Sequence, residues 1–109
     1  MDAWQAYVDA MHAARFYEAH ELLESLWRAT KSDKAQIAIW IAAAFLHWQR
    51  QNVSGALTLF RRTAVHPLAS EMPLASEIQG WIAAVESEAP VVPPARALLL
   101  ELADWGRRE

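Results

Sequence analysis

Apolar residues recur along this chain with the period of an α-helix, and no segment shows the apolar/polar alternation typical of a β-strand. The first stretch follows the i, i+3, i+4, i+7 pattern, with apolar side chains at Trp4, Tyr7, Val8 and Met11. Continued to the end, the pattern predicts helices over about residues 2–13, 16–30, 33–51, 53–66, 74–88 and 95–107. The sequence therefore predicts an all-α protein.

The third predicted helix differs from the others because apolar residues surround its whole axis from Ile37 to Trp48, interrupted only by His47. A helix that is apolar on every side is typical of the buried centre of a domain. The break near Ala14 is short, so the first two helices should be antiparallel neighbours. We expect a single domain over residues 1–109, an up-and-down bundle of two stacked antiparallel helical hairpins plus one or two C-terminal helices.

Several short motifs suggest where helices begin and end. Asn52 or Ser54 suits the N-cap of the fourth helix. The segment 76–79 resembles a capping box for the fifth helix, although Pro73 at a first helical position would start that helix one turn earlier. A stiff proline-rich link over residues 90–94 precedes the last helix, whose C-terminus is suited by Gly106 and the two following arginines.

Composition narrows the classes of function. The chain has 109 residues, 54% of them hydrophobic, a net charge of -3 and no cysteine. This size argues against an enzyme with separate cofactor and substrate domains, and the absence of cysteine excludes disulfides and thiolate chemistry. The arginines are scattered and the longest uncharged apolar run, 37–46, is about half of a membrane span, so we expect neither nucleic acid nor membrane as a partner. The N-terminus lacks a signal-peptide pattern, and we expect a cytoplasmic location.

The candidate chemistry lies on the second helix. His20 and Glu24 are one turn apart, at the edge of the apolar stripe, and Trp27 follows on the same side. A carboxylate favours the imidazolium while burial opposes it, so the pair suits a general acid or base. We take His20 and Glu24 as candidate catalytic residues and Trp27 as a binding residue. In the alternative interpretation the three are structural, with Glu24 paired to Arg28 at i+4 and Trp27 in the core.

The distribution of histidines raises the question of a metal. In an up-down-up-down arrangement His12, His20 and His47 share one end of the bundle, whereas His66 belongs to the other. Three imidazoles near Glu24 could bind zinc or iron, but equal height does not make them face one another, and we assign no metal ligands and no cofactor. A ferritin-like di-iron centre is excluded because no acidic residue occurs between positions 33 and 71.

Tryptophan is frequent, with six in the chain. Four of them fall on apolar stripes and are expected in the core rather than as stacking platforms: Trp27, Trp40, Trp48 and Trp81.

The segment from Arg15 to Trp27 carries a His-x-x-x-Glu-x-x-Trp motif formed by His20, Glu24 and Trp27. With a second stretch from Ala42 to Arg62, it resembles the domain-of-unknown-function family 309 over a core of about residues 4–66. The resemblance implies a small bacterial or archaeal helical protein whose motif is a candidate active site without an established activity or substrate. It also adds His47 to the candidate binding residues. Ala14 stands where relatives commonly have glycine.

Two hypotheses for the function follow. In the first, the site of His20, Glu24 and Trp27, joined by His47, performs acid-base or metal-assisted chemistry on an unidentified small molecule. In the second, the chain is a tetratricopeptide-like interaction module without catalytic activity, because Trp40, Ala44, Ala56 and Phe60 occur at offsets similar to that repeat. The apolar third and sixth helices also suggest a homodimer.

Overall fold

The computed structural model describes residues 2–108, and within that range every regular element is helical. The six α-helices are α1 Ala3–His12, α2 Phe16–Thr30, α3 Asp33–Gln49, α4 Val53–Ala64, α5 Ala75–Glu86 and α6 Arg96–Arg107, with a 3₁₀ turn Ala69–Glu71 before α5. Successive helices from α1 to α5 pack against each other, and α6 returns to pack on α1 and α3. The predicted all-α bundle is confirmed. No helix in residues 2–108 is long and apolar enough to cross a membrane.

The helices begin and end largely where short-range chemistry places them. Asp2 accepts a hydrogen bond from the Gln5 N–H at 2.7 Å and caps α1. Asn52, not Ser54, caps α4 by accepting the Gly55 N–H at 3.1 Å. Between α1 and α2, Ala14 has a left-handed backbone with φ 59°. Glycine adopts this conformation at lower cost than alanine does.

The start of α5 differs from the prediction of a capping box at 76–79. The helix begins at Ala75, so Ser76 lies inside it, and the N-cap residue Leu74 has no side chain able to accept a hydrogen bond. Leu74 is instead fully buried. Burial of this leucine outweighs the hydrogen bond that a serine cap would provide, and the helix starts closer to Pro73.

The centre of the bundle is α3, as its apolar surface predicts. Eight of its residues are buried: Ala35, Ile37, Ala38, Ile39, Ile41, Ala42, Ala44 and Phe45. Phe45 lies at the middle of an aromatic cluster, with its ring 5.4 Å from Phe16, 5.3 Å from Phe60 and 4.9 Å from Trp81 between centroids. Edge-to-face and offset contacts at these distances add to the stabilisation from burial. The cluster ties α2, α4 and α5 to α3.

The sixth helix is part of the core. Its apolar face, with Leu99, Leu102, Ala103 and Trp105, is buried. The Arg107 guanidinium donates to both oxygens of Asp2, at 2.9 and 3.1 Å, which joins the end of α6 to the start of α1. The hydrogen bonding from Arg107, together with the hydrogen bond from the Gln5 N–H, lowers the pKa of Asp2 from 3.8 to about 2. A second pair, Arg96 with Asp9 at 2.8 Å, fixes the other end of the helix.

The interpretation of Gly106 as a helix terminator was wrong. Gly106 lies inside α6, without a left-handed backbone, and faces the indole of Trp4. A Cβ atom at this position would come within 2.3 Å of that ring. The glycine is therefore required for the close approach of α6 to α1.

Candidate functional site

The second helix presents its candidate residues at the border between core and solvent. Its buried side carries Phe16, Ala19 and Leu23, all at most 2% exposed. His20 and Glu24 follow on the adjoining side, with 28% and 23% of their side chains exposed. They are neither sealed inside the bundle nor fully in solvent, and a surface reactant can reach them.

The imidazole of His20 lies between two carboxylates. Its Nε2 is 4.0 Å from Oε2 of Glu24, and its Nδ1 is 3.4 Å from Oε1 of Glu21. Nδ1 is buried and has no hydrogen-bond partner among the described residues. Buried polar nitrogens without a partner are uncommon, and each one calls for a physical explanation such as a catalytic role or a bound water.

The sequence analysis did not associate Glu21 with the imidazole. The Glu21 side chain is exposed, but its carboxylate lies close to Nδ1. Tyr17 was also missed: its ring stacks on that of His20 with centroids 6.3 Å apart. The signal for Tyr17 was its spacing of three from His20, which places the two side chains on one face of a helix.

Glu24 also makes the contact expected in the structural interpretation. Its Oε1 is 3.5 Å from Nη2 of Arg28, while its other oxygen faces His20. The arginine side chain is mostly exposed, so the pair is weak as a stabilising interaction. Its position nevertheless holds one oxygen of Glu24 away from the imidazole.

Trp27 lies one turn beyond Glu24 and is half-buried, packed against the core. The ammonium group of Lys31 is 4.1 Å from its ring centroid, a cation–π contact that covers part of the indole. Of the four tryptophans expected in the core, only Trp81 is fully buried, and Trp40 and Trp48 are also half-buried. Their indoles lie at the border between the core and solvent. A large aromatic ring with a polar N–H is stable there, because one side of the ring can pack while the other stays hydrated.

His47 lies in the last turn of α3, just before the turn that leads into α4. The Asn52 amide donates to its Nδ1 at 3.0 Å, which fixes the imidazole against the cap of α4. The Gln49 side chain donates to the Ala14 carbonyl at 3.3 Å, so this turn and the turn before α2 lie at the same end of the bundle. No hydrogen bond or ion pair joins His47 to His20 in the described part of the chain.

His12 is exposed at the end of α1. Among residues 2–108, no three side chains of histidine, aspartate or glutamate are grouped to hold a metal ion. The pockets on this surface also lie elsewhere, and none of the four main ones includes His20 or Glu24 in its lining. The site is thus a shallow feature of the α2 surface.

Comparison with known proteins supports the resemblance predicted from the sequence. Residues 4–59, slightly more than half of the chain, match the family described as a domain of unknown function (DUF309). No curated protein and no solved structure matches the chain. The matched region contains all but the first residue of α1, all of α2 and α3, and the first seven residues of α4, together with all of the candidate residues.

Proposed function

We propose that this chain, which belongs to the DUF309 family, carries an acid–base site on α2 in which His20 exchanges a proton with a bound reactant. The observation that carries the proposal is the partly exposed imidazole between two carboxylates, with neither ring nitrogen in a hydrogen bond among the described residues. A histidine with a purely structural role is normally held by at least one hydrogen bond. His20 keeps its hydrogen-bonding capacity for another group.

The gap between His20 and Glu24 indicates what that group is. Nε2 and Oε2 are 4.0 Å apart, too far for a direct hydrogen bond. A hydroxyl or water oxygen can lie about 2.8 Å from both atoms and hydrogen-bond to each. In this arrangement Nε2 takes up or releases the proton, and the Glu24 carboxylate stabilises the imidazolium. Arg28 interacts with the second oxygen of Glu24, and the Trp27 ring forms one side of the site.

The shallow site favours a reactant that approaches along the surface. Tyr17, with its side chain beside the imidazole, offers an aromatic face on one flank. His47 has its Nδ1 occupied by Asn52, and a role in binding stays a prediction for its other nitrogen.

Ring opening of 5-nitrobenzisoxazole tests the proposal, because in this reaction a base only removes the proton on C3 as the N–O bond breaks. We expect His20→Gln to lower the protein-dependent rate at least about tenfold, and Glu24→Gln to lower it at least about threefold. His12→Gln is the matched control, since it removes an exposed imidazole outside the site, and it should change the rate less than about twofold. Equal losses in His12→Gln and His20→Gln would show that His20 has no special reactivity.

A second candidate function, the tetratricopeptide-like interaction module, is favoured by one observation. Two apolar pockets meet at Trp48 and Val53, away from the residues of the acid–base site. If this were the main function, variants at His20 would leave association with partners unchanged and variants at Val53 would abolish it.

A further inference from the structure

The link between α5 and α6 is an extended apolar segment. Residues 89–95 form neither helix, turn nor bend, and they carry three of the five prolines of the chain. Proline fixes its own φ at about −65°, and the residue before a proline is restricted to extended conformations. Ala95, at the end of this stretch, has φ −63° and ψ 154°, which lie in the polyproline II region. We call residues 89–95 the proline segment.

Burial along the proline segment repeats every three residues. Val91, which is 3% exposed, and Pro94 are buried. The other five residues are exposed: Ala89, Pro90, Val92, Pro93 and Ala95. A polyproline II helix has three residues per turn, so residues three apart lie on the same edge. One edge of the segment therefore packs on the bundle, and the other two edges face solvent.

The two free edges carry a repeated pair of residues. Pro90 and Pro93 share one edge, while Ala89 and Val92, the latter 73% exposed, share the other. An apolar residue followed by a proline thus occurs twice, one turn apart, with both members of each pair accessible. The prolines have the spacing Pro-x-x-Pro, which domains with aromatic-lined grooves recognise in polyproline II conformation.

The bundle holds the proline segment in place. Nε1 of Trp81, a residue only 6% exposed, donates to the Val92 carbonyl at 2.9 Å. This hydrogen bond acts together with the buried edge formed by Val91 and Pro94. A segment that is already ordered loses less conformational entropy on binding, so its free edges are available for contact at low cost.

The chemistry of the segment restricts the kind of partner. Its prolines have no N–H group, so it is unsuited to pairing with the edge of a β-sheet. It carries no charge; Glu88 precedes it, and Arg96, which follows, is already paired with Asp9 at 2.8 Å. The segment therefore lacks the cluster of free cations that binds anionic lipids or nucleic acid phosphates. Of the common modes of peptide recognition, it fits that of polyproline II helices.

We propose that the proline segment binds a protein domain whose groove is lined by aromatic rings. The pairs Ala89-Pro90 and Val92-Pro93 each occupy one recess between rings, and the buried edge keeps the segment attached to its own bundle. The segment lies outside residues 4–59, so the inference is independent of the family and of the acid–base site.

NMR titration with the full chain tests the proposal on three isotope-labelled probes, an SH3, a WW and an EVH1 domain, because each has an aromatic groove for polyproline II ligands. We expect saturable shifts of the groove signals in at least one probe below about 1 mM. Pro93→Ala should raise the dissociation constant at least about fivefold. Pro67→Ala is the matched control, since Pro67 is exposed but outside the segment, and it should change the constant less than about twofold.

A second variant tests the other free edge. Val92→Asp should raise the dissociation constant at least about tenfold, because a charge enters an apolar recess, whereas Val65→Asp, at an 80% exposed position outside the segment, should change it less than about twofold. Circular dichroism checks that each variant is folded. The proposal is overturned if none of the three probes binds, as expected of a segment that only links two helices. It is also overturned if Pro93→Ala and Val92→Asp bind as tightly as their controls.

Discussion

Replacing Gly106 by alanine should destabilise this protein, although alanine is the better helix former. The added Cβ would come within 2.3 Å of Cη2 and Cζ2 of Trp4, where carbon atoms normally stay about 3.5 to 4.0 Å apart. The indole cannot easily withdraw, because Trp4 is only 5% exposed and packs edge-on against Tyr7. Overpacking costs about 1–3 kcal/mol and helix propensity returns at most about 1 kcal/mol. We expect a net loss of about 1–2 kcal/mol.

A second glycine provides the control. Gly80 lies inside α5, is exposed, and a Cβ there would meet nothing within 4 Å. Gly80→Ala should therefore stabilise the protein by about 0.5–1 kcal/mol, the opposite sign for the same substitution. Equilibrium urea unfolding of both variants measures the two free energies. In a Trp4→Phe background, the cost of Gly106→Ala should shrink. If Gly106→Ala were as stable as the parent chain, the close packing of α6 on α1 would be refuted.

Three further outcomes are expected. Asn52→Ala removes the cap of α4 and should lower the free energy of unfolding by about 1 kcal/mol, with a loss below about 0.3 kcal/mol contradicting the cap. Because Arg107 lowers the pKa of Asp2 to about 2, this carboxylate contributes stability above about pH 4 that is lost as pH falls toward 2. Acid titration of Asp2→Asn should show less loss over that range, and an unchanged curve would argue against the pairing. Tyr7→Phe deletes the buried hydrogen bond to the Ala38 carbonyl and should cost about 1 kcal/mol in urea unfolding; no change would mean that the bond contributes nothing.

Helix positions could be predicted from the sequence because they depend on local spacing and on caps within a few residues. The predicted bounds of α2 agree with the structure at both ends, since Phe16 begins an apolar stripe and the residue after Thr30 turns left-handed. The start of α5 could not be predicted in the same way. There, the tertiary burial of Leu74 sets the first residue of the helix, and the local capping motif at Ser76 does not.

The candidate site shows the same division. The pairing of His20 with Glu24 follows from a separation of four residues in one helix, so sequence alone predicts it. The placement of His47 depends on the backbone of the α3–α4 turn and on the side chain of Asn52, and the family motif does not contain that information. The role of Gly106 could not be predicted from the sequence for a related reason. Its partner, Trp4, lies at the other end of the chain, whereas the local pattern indicated only the end of a helix.

The hydrogen bonds between Asp2 and Arg107 have a consequence for how this bundle can be combined with other polypeptides. They join positions separated by 105 residues, so the start of α1 and the end of α6 lie within reach of one aspartate and one arginine side chain. A domain whose first helix begins close to where its last helix ends can be inserted into a surface loop of a host protein without widening that loop. For the same reason, a circularly permuted bundle needs only a short peptide to connect the end of α6 to the start of α1.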